Sequence, residues 1–252
     1  MTNAGAGARG PSAPRDLVPD VLRGFALLGI VVVNVAYFAT DVANGLTGDA
    51  LVTQGDRIAA FLVHALALGK FYLLFSFLFG YATVYALKRG PEGVPRWKGR
   101  SRALLVFGAL HAVLLFIGDI LFIYGVLGLL LAPLLFAEQR RLRQATRWSY
   151  AIGSALLIAM VALIWLGEQQ GADVSTTMTT AYDALVRQGD ALAAIPARAS
   201  LWLQTLPFIA LLQGPIAFAA FLVGLRSARV RLLSGRAEDV RLGRWLAWGL
   251  GV

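Results

Sequence analysis

Long apolar segments alternate along the chain with short segments rich in arginine and lysine. A helix needs about 20 predominantly apolar residues, roughly 17–25, to cross the hydrocarbon core of a bilayer. By this measure the sequence predicts six complete spans, at residues 24–40, 71–87, 103–117, 120–136, 148–166 and 201–225. A seventh apolar segment begins near Trp245 and continues to Val252. We therefore predict an all-α, polytopic transmembrane helix bundle.

Glycine and charged residues divide this pattern further. Gly69 and Lys70 interrupt the apolar stretch 58–87, so we predict an interfacial or re-entrant helix before them and a span after them. Gly118 and Asp119 separate the third span from the fourth, which is typical of a turn between antiparallel helices. Residues 1–19 are rich in alanine, glycine and proline, and we predict a disordered tail there. Residues 20–252 would form the transmembrane domain, the N-terminal part of a longer architecture.

Composition supports a membrane protein. The 252 residues are 58% hydrophobic and 15% charged, whereas globular chains are about 45–50% apolar and about 25% charged. The mean hydropathy is +0.68. These values exclude an ordinary soluble domain.

The positive charges follow the predicted topology. Nineteen of the 23 lysines and arginines lie in the N-terminal flank and in the segments after the second, fourth and sixth spans. Short cytoplasmic loops carry such an excess, so we predict a cytoplasmic N-terminus. The net charge of +9 is then explained by topology and by attraction to anionic lipid, and we expect no nucleic-acid partner.

Cysteine and histidine are scarce. The chain has no cysteine and two histidines, which excludes disulfides, thiolate metal sites and a cysteine nucleophile. We expect no metal centre.

The first polar group at membrane depth lies in the first span. Arg23 and Asn34 are eleven positions apart, so they share one helix face and are separated by about 16 Å along its axis. That face would present a cation at the cytoplasmic side and an amide in the outer half. Alternatively, Asp20 caps the helix, Arg23 obeys the positive-inside rule and Asn34 bonds a neighbouring helix.

The second group consists of His111, Asp119 and Tyr124, around the turn between the third and fourth spans. A histidine near an acid and a phenol can serve as a general base with an orienting partner. Alternatively, Asp119 caps the fourth span, Tyr124 packs at the interface and a neutral His111 bonds across helices.

Other polar positions allow both structural and functional interpretations. Ser76 in an apolar run is typical of a contact between helices. Pro207 and Pro215 predict a kinked or locally unwound sixth span, as in the broken helices of transporters. The cytoplasmic segment RGPEGVPRWKGR would be either a solvated anchor or a phosphate site, because three cations flank the predicted helix start: Lys98, Arg100 and Arg102.

Three sequence blocks carry a resemblance to a known family. DVLRGFALLGIVVVN, KFYLLFSFLFGYA and RALLVFGALHAVLLFIGDILFIYGVLGLLL lie in this order within residues 16–136. They resemble the YeiB-type family of bacterial membrane proteins, a domain-of-unknown-function group whose typical members are longer. This family is distantly similar to the transmembrane acyltransferase superfamily, which includes the heparan-glucosaminide N-acetyltransferases. The D-x-x-R-G … N pattern from Asp20 to Asn34 matches the first span of the glucosaminide group.

The superfamily resemblance implies transfer of an acyl group from cytoplasmic acyl-CoA to an outward acceptor. Envelope acyltransferases have a histidine where this chain has Asn34, and the glucosaminide enzymes use one in the loop after the first span. Residues 37–57 contain no histidine, so His111 or His64 would have to replace it. The implied roles are a base at His111 supported by Asp119, an oxyanion donor at Asn34, and an acyl-CoA phosphate site at Arg23, Arg100 and Arg102.

The sequence and this resemblance together predict a multi-pass protein of the bacterial plasma membrane. The leading hypothesis is an O- or N-acyltransferase with no tightly bound cofactor and with acyl-CoA as co-substrate. Two alternatives remain. One is a transporter of a small envelope metabolite, and the other is a non-catalytic membrane subunit whose seventh span is completed by a partner.

Overall fold

The computed structural model describes residues 17–39, 53–62, 69–169, 184–185, 189, 192–230 and 232–233. Within these ranges all regular structure is helical, which confirms the predicted all-α class. The helices are α1 (Leu17–Ala39), α2 (Gln54–Leu62), α3 (Lys70–Tyr81), α4 (Val84–Leu87), α5 (Gly93–Leu114), α6 (Leu121–Leu131), α7 (Gln139–Gln169) and α8 (Ala194–Arg229). Short 3₁₀ turns precede α5, at Gly90–Glu92, and follow α6, at Ala132–Leu134.

Four segments of the described chain are long and apolar enough to cross a membrane. They are Val18–Val35, Lys70–Leu87, Gln139–Gly167 and Ala194–Arg229. The predicted six complete spans are more than the structure shows, because the first half of α5 is rich in cations and the apolar helix from Leu121 to Leu134 is short. The predicted seventh segment lies outside the described residues.

Two predicted boundaries were wrong. Helix α5 begins at Gly93, ten residues before the predicted span, so Lys98, Arg100 and Arg102 lie within a helix and not in front of one. Pro95 is compatible with this start because backbone N–H groups in the first turn of a helix have no acceptor within the helix. A proline there therefore removes no helical hydrogen bond. Helix α1 begins at Leu17, so residues 17–19 of the predicted tail are helical, and residues 1–16 lie outside the described ranges.

Two further predictions concern breaks in helices, one at Gly69 and one at the prolines of the sixth span, and only the first break is observed. Gly69 has a φ of 80° and immediately precedes α3, which confirms the predicted interruption at this point. Helix α8 continues through Pro207 and Pro215 without a break, so the predicted local unwinding is not observed. Helix α8 packs against both α3 and α7, and neighbouring helices help membrane helices to tolerate proline.

Helix α8 is the central element of the described bundle. It packs against α3, α5, α6 and α7. Its Phe221 ring stacks on Phe79 of α3, with ring centroids 4.7 Å apart, and meets the Tyr124 ring of α6 edge-on at 5.0 Å. This aromatic contact joins three helices at the centre of the hydrophobic core.

Glycines allow α3 and α8 to touch through their backbones. A Cβ placed on Gly80 would lie 2.1 Å from the carbonyl oxygen of Phe221, and one on Gly224 would lie 2.1 Å from that of Phe77. Small residues at such contacts are typical of helix packing in membranes.

We expect Gly224→Ala to destabilise the protein, since the added methyl group would collide with backbone and not with a movable side chain. Overpacking of this kind costs about 1–3 kcal/mol, occasionally more. Gly214→Ala is the matched control, because a Cβ at Gly214 in the same helix meets nothing within 4 Å. Thermal unfolding in detergent measures both variants, and equal midpoints would contradict the proposed close approach.

Candidate functional site

His111 and Asp119 form a hydrogen-bonded pair at the turn between α5 and α6. The Nδ1 atom of His111 lies 3.0 Å from Oδ1 of Asp119. The other carboxylate oxygen, Oδ2, accepts the backbone N–H of Phe122 at 2.8 Å. Asp119 therefore bonds the first turn of α6 and His111 at the same time, so the predicted capping role and the predicted orienting geometry occur together.

Burial distinguishes the two partners. The Asp119 side chain is fully buried, whereas 36% of the His111 side chain is exposed. Gly108 lets the hairpin close this tightly, because a Cβ there would lie 2.2 Å from the backbone nitrogen of Phe122. In the tautomer whose Nδ1–H donates a hydrogen bond to Asp119, the Nε2 atom of His111 carries no hydrogen. Its lone pair can then accept a proton.

The environment of Asp119 has opposing effects on its acidity. Burial in the hairpin connection raises the pKa of the Asp119 carboxyl. Hydrogen bonds from the N–H groups of Phe122 and Leu121, and the interaction with His111, favour the ionised form and lower the pKa. The pKa of Asp119 stays above its ordinary value, so these partners compensate only in part for removing the carboxyl group from water.

Tyr124 does not join this pair. Its hydroxyl oxygen lies 2.5 Å from Oγ of Ser76, and Ser76 donates to the carbonyl of Tyr72 at 2.8 Å. The Tyr72 hydroxyl in turn lies 3.4 Å from the carbonyl oxygen of Gln213. This network links α3, α6 and α8, so Tyr124 and Ser76 act in helix contacts.

A second cluster brings cations together at the other end of α5. The Arg100 guanidinium lies over the rings of Phe79 and Trp97, at 5.1 Å and 5.9 Å from their centroids. Arg100 is exposed as a whole residue, but partial desolvation of its guanidinium lowers its pKa, and the positive charge of Arg23 lowers it further. Arg23 also pairs with Asp20 at 3.0 Å. A bound anion would relieve the repulsion between the two arginines.

The remaining predicted site residues lie apart from these clusters. Arg102 is exposed and lies two positions after Arg100, which places it about 200° further around α5. Asn34 lies partly buried on α1, which packs on α3, whereas His111 and Asp119 lie at the connection of α5 and α6. His64 lies outside the described ranges. No group of three metal-binding side chains occurs among the residues that the structure describes.

Sequence reasoning missed the residue that holds the end of α5. Arg198, at the start of α8, donates to the carbonyls of Val113 and Leu114 at 3.1 Å and 2.6 Å. These carbonyls lie two and three residues after His111 along the chain. The available signal was that Arg198 is one of few cations in a segment predicted to lie outside.

Similar proteins share part of the chain. It is 37% identical over 153 residues to the uncharacterized protein YxaH of Bacillus subtilis (strain 168), covering 57% of this chain and 37% of that protein. It is 38% identical over 118 residues to an uncharacterized 39.9 kDa protein in the amylase 3' region of Bacillus acidopullulyticus, covering 45% of this chain and 32% of that one. It is 33% identical over 119 residues to the uncharacterized protein YeiB of Escherichia coli (strain K12), covering 46% of this chain and 30% of that one.

No protein-family model matches the chain. No solved structure matches it either. The chain spans about a third of the length of the curated relatives it matches, from 30% to 37%. These similarities are consistent with a YeiB-like family of uncharacterised proteins.

Proposed function

We propose that this chain forms part of a membrane acyltransferase of the YeiB-type family, in the bacterial plasma membrane. It would transfer an acyl group from cytoplasmic acyl-CoA to a hydroxyl or amine acceptor on the opposite side. The observation that carries the proposal is the His111–Asp119 pair, a buried acid bonded to a partly exposed histidine at 3.0 Å. This is the arrangement that a general base requires.

In the proposed site, Arg100 lies in the first half of α5 and His111 lies in its last turn. Arg100 and His111 are eleven residues apart, so they are separated by about 16 Å along the helix axis. Arg23 and Asn34 have the same spacing in α1. In the proposed topology, with six spans, the beginning of a seventh and a cytoplasmic N-terminus, both helices run outward. The cations then meet the cytoplasm, and His111 and Asn34 lie at one depth.

Helix α8 supports this topology. Arg198 and Arg229 are 31 residues apart, which corresponds to about 46 Å of helix. A bilayer with its headgroup regions is about 40–45 Å thick. Each arginine would therefore lie at one membrane surface, where its charge is tolerated.

The proposed reaction has two stages, attack on the thioester and release of CoA, and each needs one proton transfer. His111 Nε2 accepts the proton of the acceptor hydroxyl as its oxygen attacks the thioester carbon, and Asp119 stabilises the imidazolium. Asn34 would donate to the oxyanion that forms there. The carbon–sulfur bond then breaks, and His111 returns the proton to the CoA thiolate. The products are the acylated acceptor and free CoA thiol.

The transport hypothesis has less support in the described residues. The cavity beside Pro207 and Pro215 has Ser149 as the one polar side chain in its lining. Such a lining offers too few hydrogen-bond partners for a polar envelope metabolite. A non-catalytic subunit would be expected to bind no acyl-CoA.

Acyl-CoA binding tests the proposal, and we expect Arg100→Ala to weaken it. Hydrogen bonds to charged groups contribute about 1.5–3 kcal/mol, so the Kd should rise about tenfold or more. Arg102→Ala is the matched control, since both arginines are exposed and Arg102 lies about 200° further around the same helix. Calorimetry on detergent-purified protein, with acetyl-CoA and free CoA, measures both. Equal Kd values in the two variants, or no binding to the unmodified chain, would reject the phosphate site.

A further inference from the structure

The beginning of α7 carries three arginines on one face. Arg140, Arg143 and Arg147, together with Gln144, line an open cleft of about 410 Å³. At about 100° per residue, these four positions fall within a sector of about 100° around the helix. All four residues are exposed. The three arginines therefore form a single cationic patch, the arginine face.

The arginine face points away from the helix on which α7 packs. Leu142 is fully buried, and a Cβ on Gly153 would lie 2.4 Å from a side-chain carbon of Ile216 in α8. Leu142 and Gly153 lie about 200–220° around α7 from Arg140. The side of α7 that contacts α8 is therefore opposite to the arginines.

No carboxylate neutralises the arginine face within the described part of the chain. Glu138 immediately precedes α7, but it forms no ion pair with any of the three arginines there. Glu168 is the one acidic residue of α7, and it lies 28 positions after Arg140, about 42 Å along the axis. Three unneutralised cations on one patch favour an anion from outside the chain.

The same sector of α7 continues with apolar side chains. Ile158, Val161 and Trp165 lie at the same angles around the helix as the arginines, and they are 70%, 67% and 58% exposed. Helix α7 is among the segments long and apolar enough to cross a membrane, so these side chains would contact lipid. A ligand that follows this face meets cations first and an apolar surface after them.

The spacing along this face matches one leaflet of a bilayer. Arg147 and Ile158 are eleven residues apart, which corresponds to about 16 Å of helix. Half of the hydrocarbon core is about 15 Å thick. A phospholipid with its phosphate beside the arginines would therefore extend its acyl chains as far as Ile158. A soluble anion would pair with the arginines but would not use the apolar continuation.

The charge of the arginine face favours an anionic headgroup. Guanidinium groups bind phosphate oxygens in bidentate geometry, so one phosphate can pair with two neighbouring arginines. The headgroup of a zwitterionic phospholipid carries its own cation, which this patch would repel. Clusters of basic residues beside a span attract anionic lipids in the same way.

We propose that Arg140, Arg143 and Arg147 bind the headgroup of one anionic phospholipid, whose acyl chain lies along the outward face of α7 as far as Ile158. The site requires that α7 spans the bilayer, and the lipid belongs to the leaflet at the arginine end. It is separate from the His111–Asp119 pair, and its occupation does not depend on acyl transfer.

Photolabelling in proteoliposomes of the chain tests this site. The probes are phosphatidylglycerol and phosphatidylcholine with the same diazirine near the end of one acyl chain, each added in trace amounts to phosphatidylcholine vesicles. We expect phosphatidylglycerol to label the peptide around Ile158 at least about fivefold more strongly, the effect of a single arginine beside an anionic lipid. Equal labelling by the two probes would overturn the proposal, because it would indicate ordinary contact with the bilayer.

Substitutions distinguish a defined site from diffuse attraction. Arg143→Gln should reduce the preference for phosphatidylglycerol about fivefold, and replacing Arg140, Arg143 and Arg147 together by glutamine should abolish it. Arg141→Gln is the matched control, because it removes the same charge from the same turn but lies about 100° from Arg140, outside the arginine face. Equal losses in Arg141→Gln and Arg143→Gln, in variants that unfold at the normal temperature, would reject the site.

Inorganic phosphate distinguishes a lipid from a soluble anion. Replacing sodium chloride with sodium phosphate at the same ionic strength should leave labelling by phosphatidylglycerol unchanged, since the bilayer holds the headgroup beside the arginines at a high effective concentration. Loss of labelling in phosphate would overturn the assignment of a lipid as the ligand. Acyl-CoA turnover is measured separately, so loss of labelling and loss of transfer identify failures of different proposals.

Discussion

His111→Ala is expected to reduce acyl transfer by about 10²–10⁴-fold, the usual contribution of a positioned general base. Without the imidazole, the attacking hydroxyl has no acceptor for its proton. The phosphate site should keep its affinity, because Arg100 lies about 16 Å away along α5. The measurement is release of CoA thiol by the chain in proteoliposomes, with acyl-CoA binding recorded in parallel. Full activity of a variant that still binds acyl-CoA would reject His111 as the base.

Asp119→Asn tests whether Asp119 orients His111 for catalysis or only caps α6. The carboxylate has two oxygens, one for His111 and one for the N–H of Phe122. An amide has a single oxygen, so it can keep both contacts only by accepting from Phe122 and donating its own N–H to Nδ1 of His111. That contact puts the imidazole proton on Nε2 and removes the lone pair that the base needs. We expect kcat to fall while KM for acyl-CoA stays constant, and Asp119→Glu to recover part of kcat. Parallel changes in KM and thermal stability would indicate that Asp119 only caps α6.

The local parts of this site were predictable, and the distant ones were not. The order of His111, Gly118 and Asp119 indicated a turn with polar residues, but sequence spacing does not give the distance across a turn. The contact between Ser76 and Tyr124 joins residues 48 positions apart, and no periodic pattern encodes that pairing. The position of Arg102 could have been deduced, because two residues along a helix correspond to about 200°.

The fold was also predictable from the sequence only in part. Hydropathy located the apolar helices, yet it placed the start of the third span after the cations that precede Ala103. Helix geometry does not require apolar residues, so α5 begins at Gly93 and carries those cations in its first half. The glycine contacts between α3 and α8 were also not predictable, since they depend on how two distant backbones meet.

Arg229→Ala is expected to destabilise the protein by about 1.5–3 kcal/mol or more, the value of a charged hydrogen bond. Its guanidinium donates to the carbonyls of Leu134, Leu135 and Ala137, at 3.3 Å, 2.7 Å and 2.7 Å. These carbonyls lie at the end of the 3₁₀ turn after α6 and just beyond it, and the Leu134 carbonyl also accepts the N–H of Ala137 at 3.1 Å. Lysine presents a single ammonium in place of the planar fork, so Arg229→Lys should recover only part of the loss.

The matched control is Arg226→Ala, one turn earlier in α8, where Nε is buried without a hydrogen-bond partner among the described residues.

Arg198→Ala should destabilise the protein as Arg229→Ala does, because it removes the donor to Val113 and Leu114. It should also reduce acyl transfer, since those carbonyls end the helix that carries His111. Arg229 contacts the opposite end of the hairpin, so its loss should lower stability without this effect on kcat. Equal unfolding midpoints for Arg226→Ala and Arg229→Ala would contradict the anchoring role, and equal kcat losses in the two anchor variants would show that neither acts through His111.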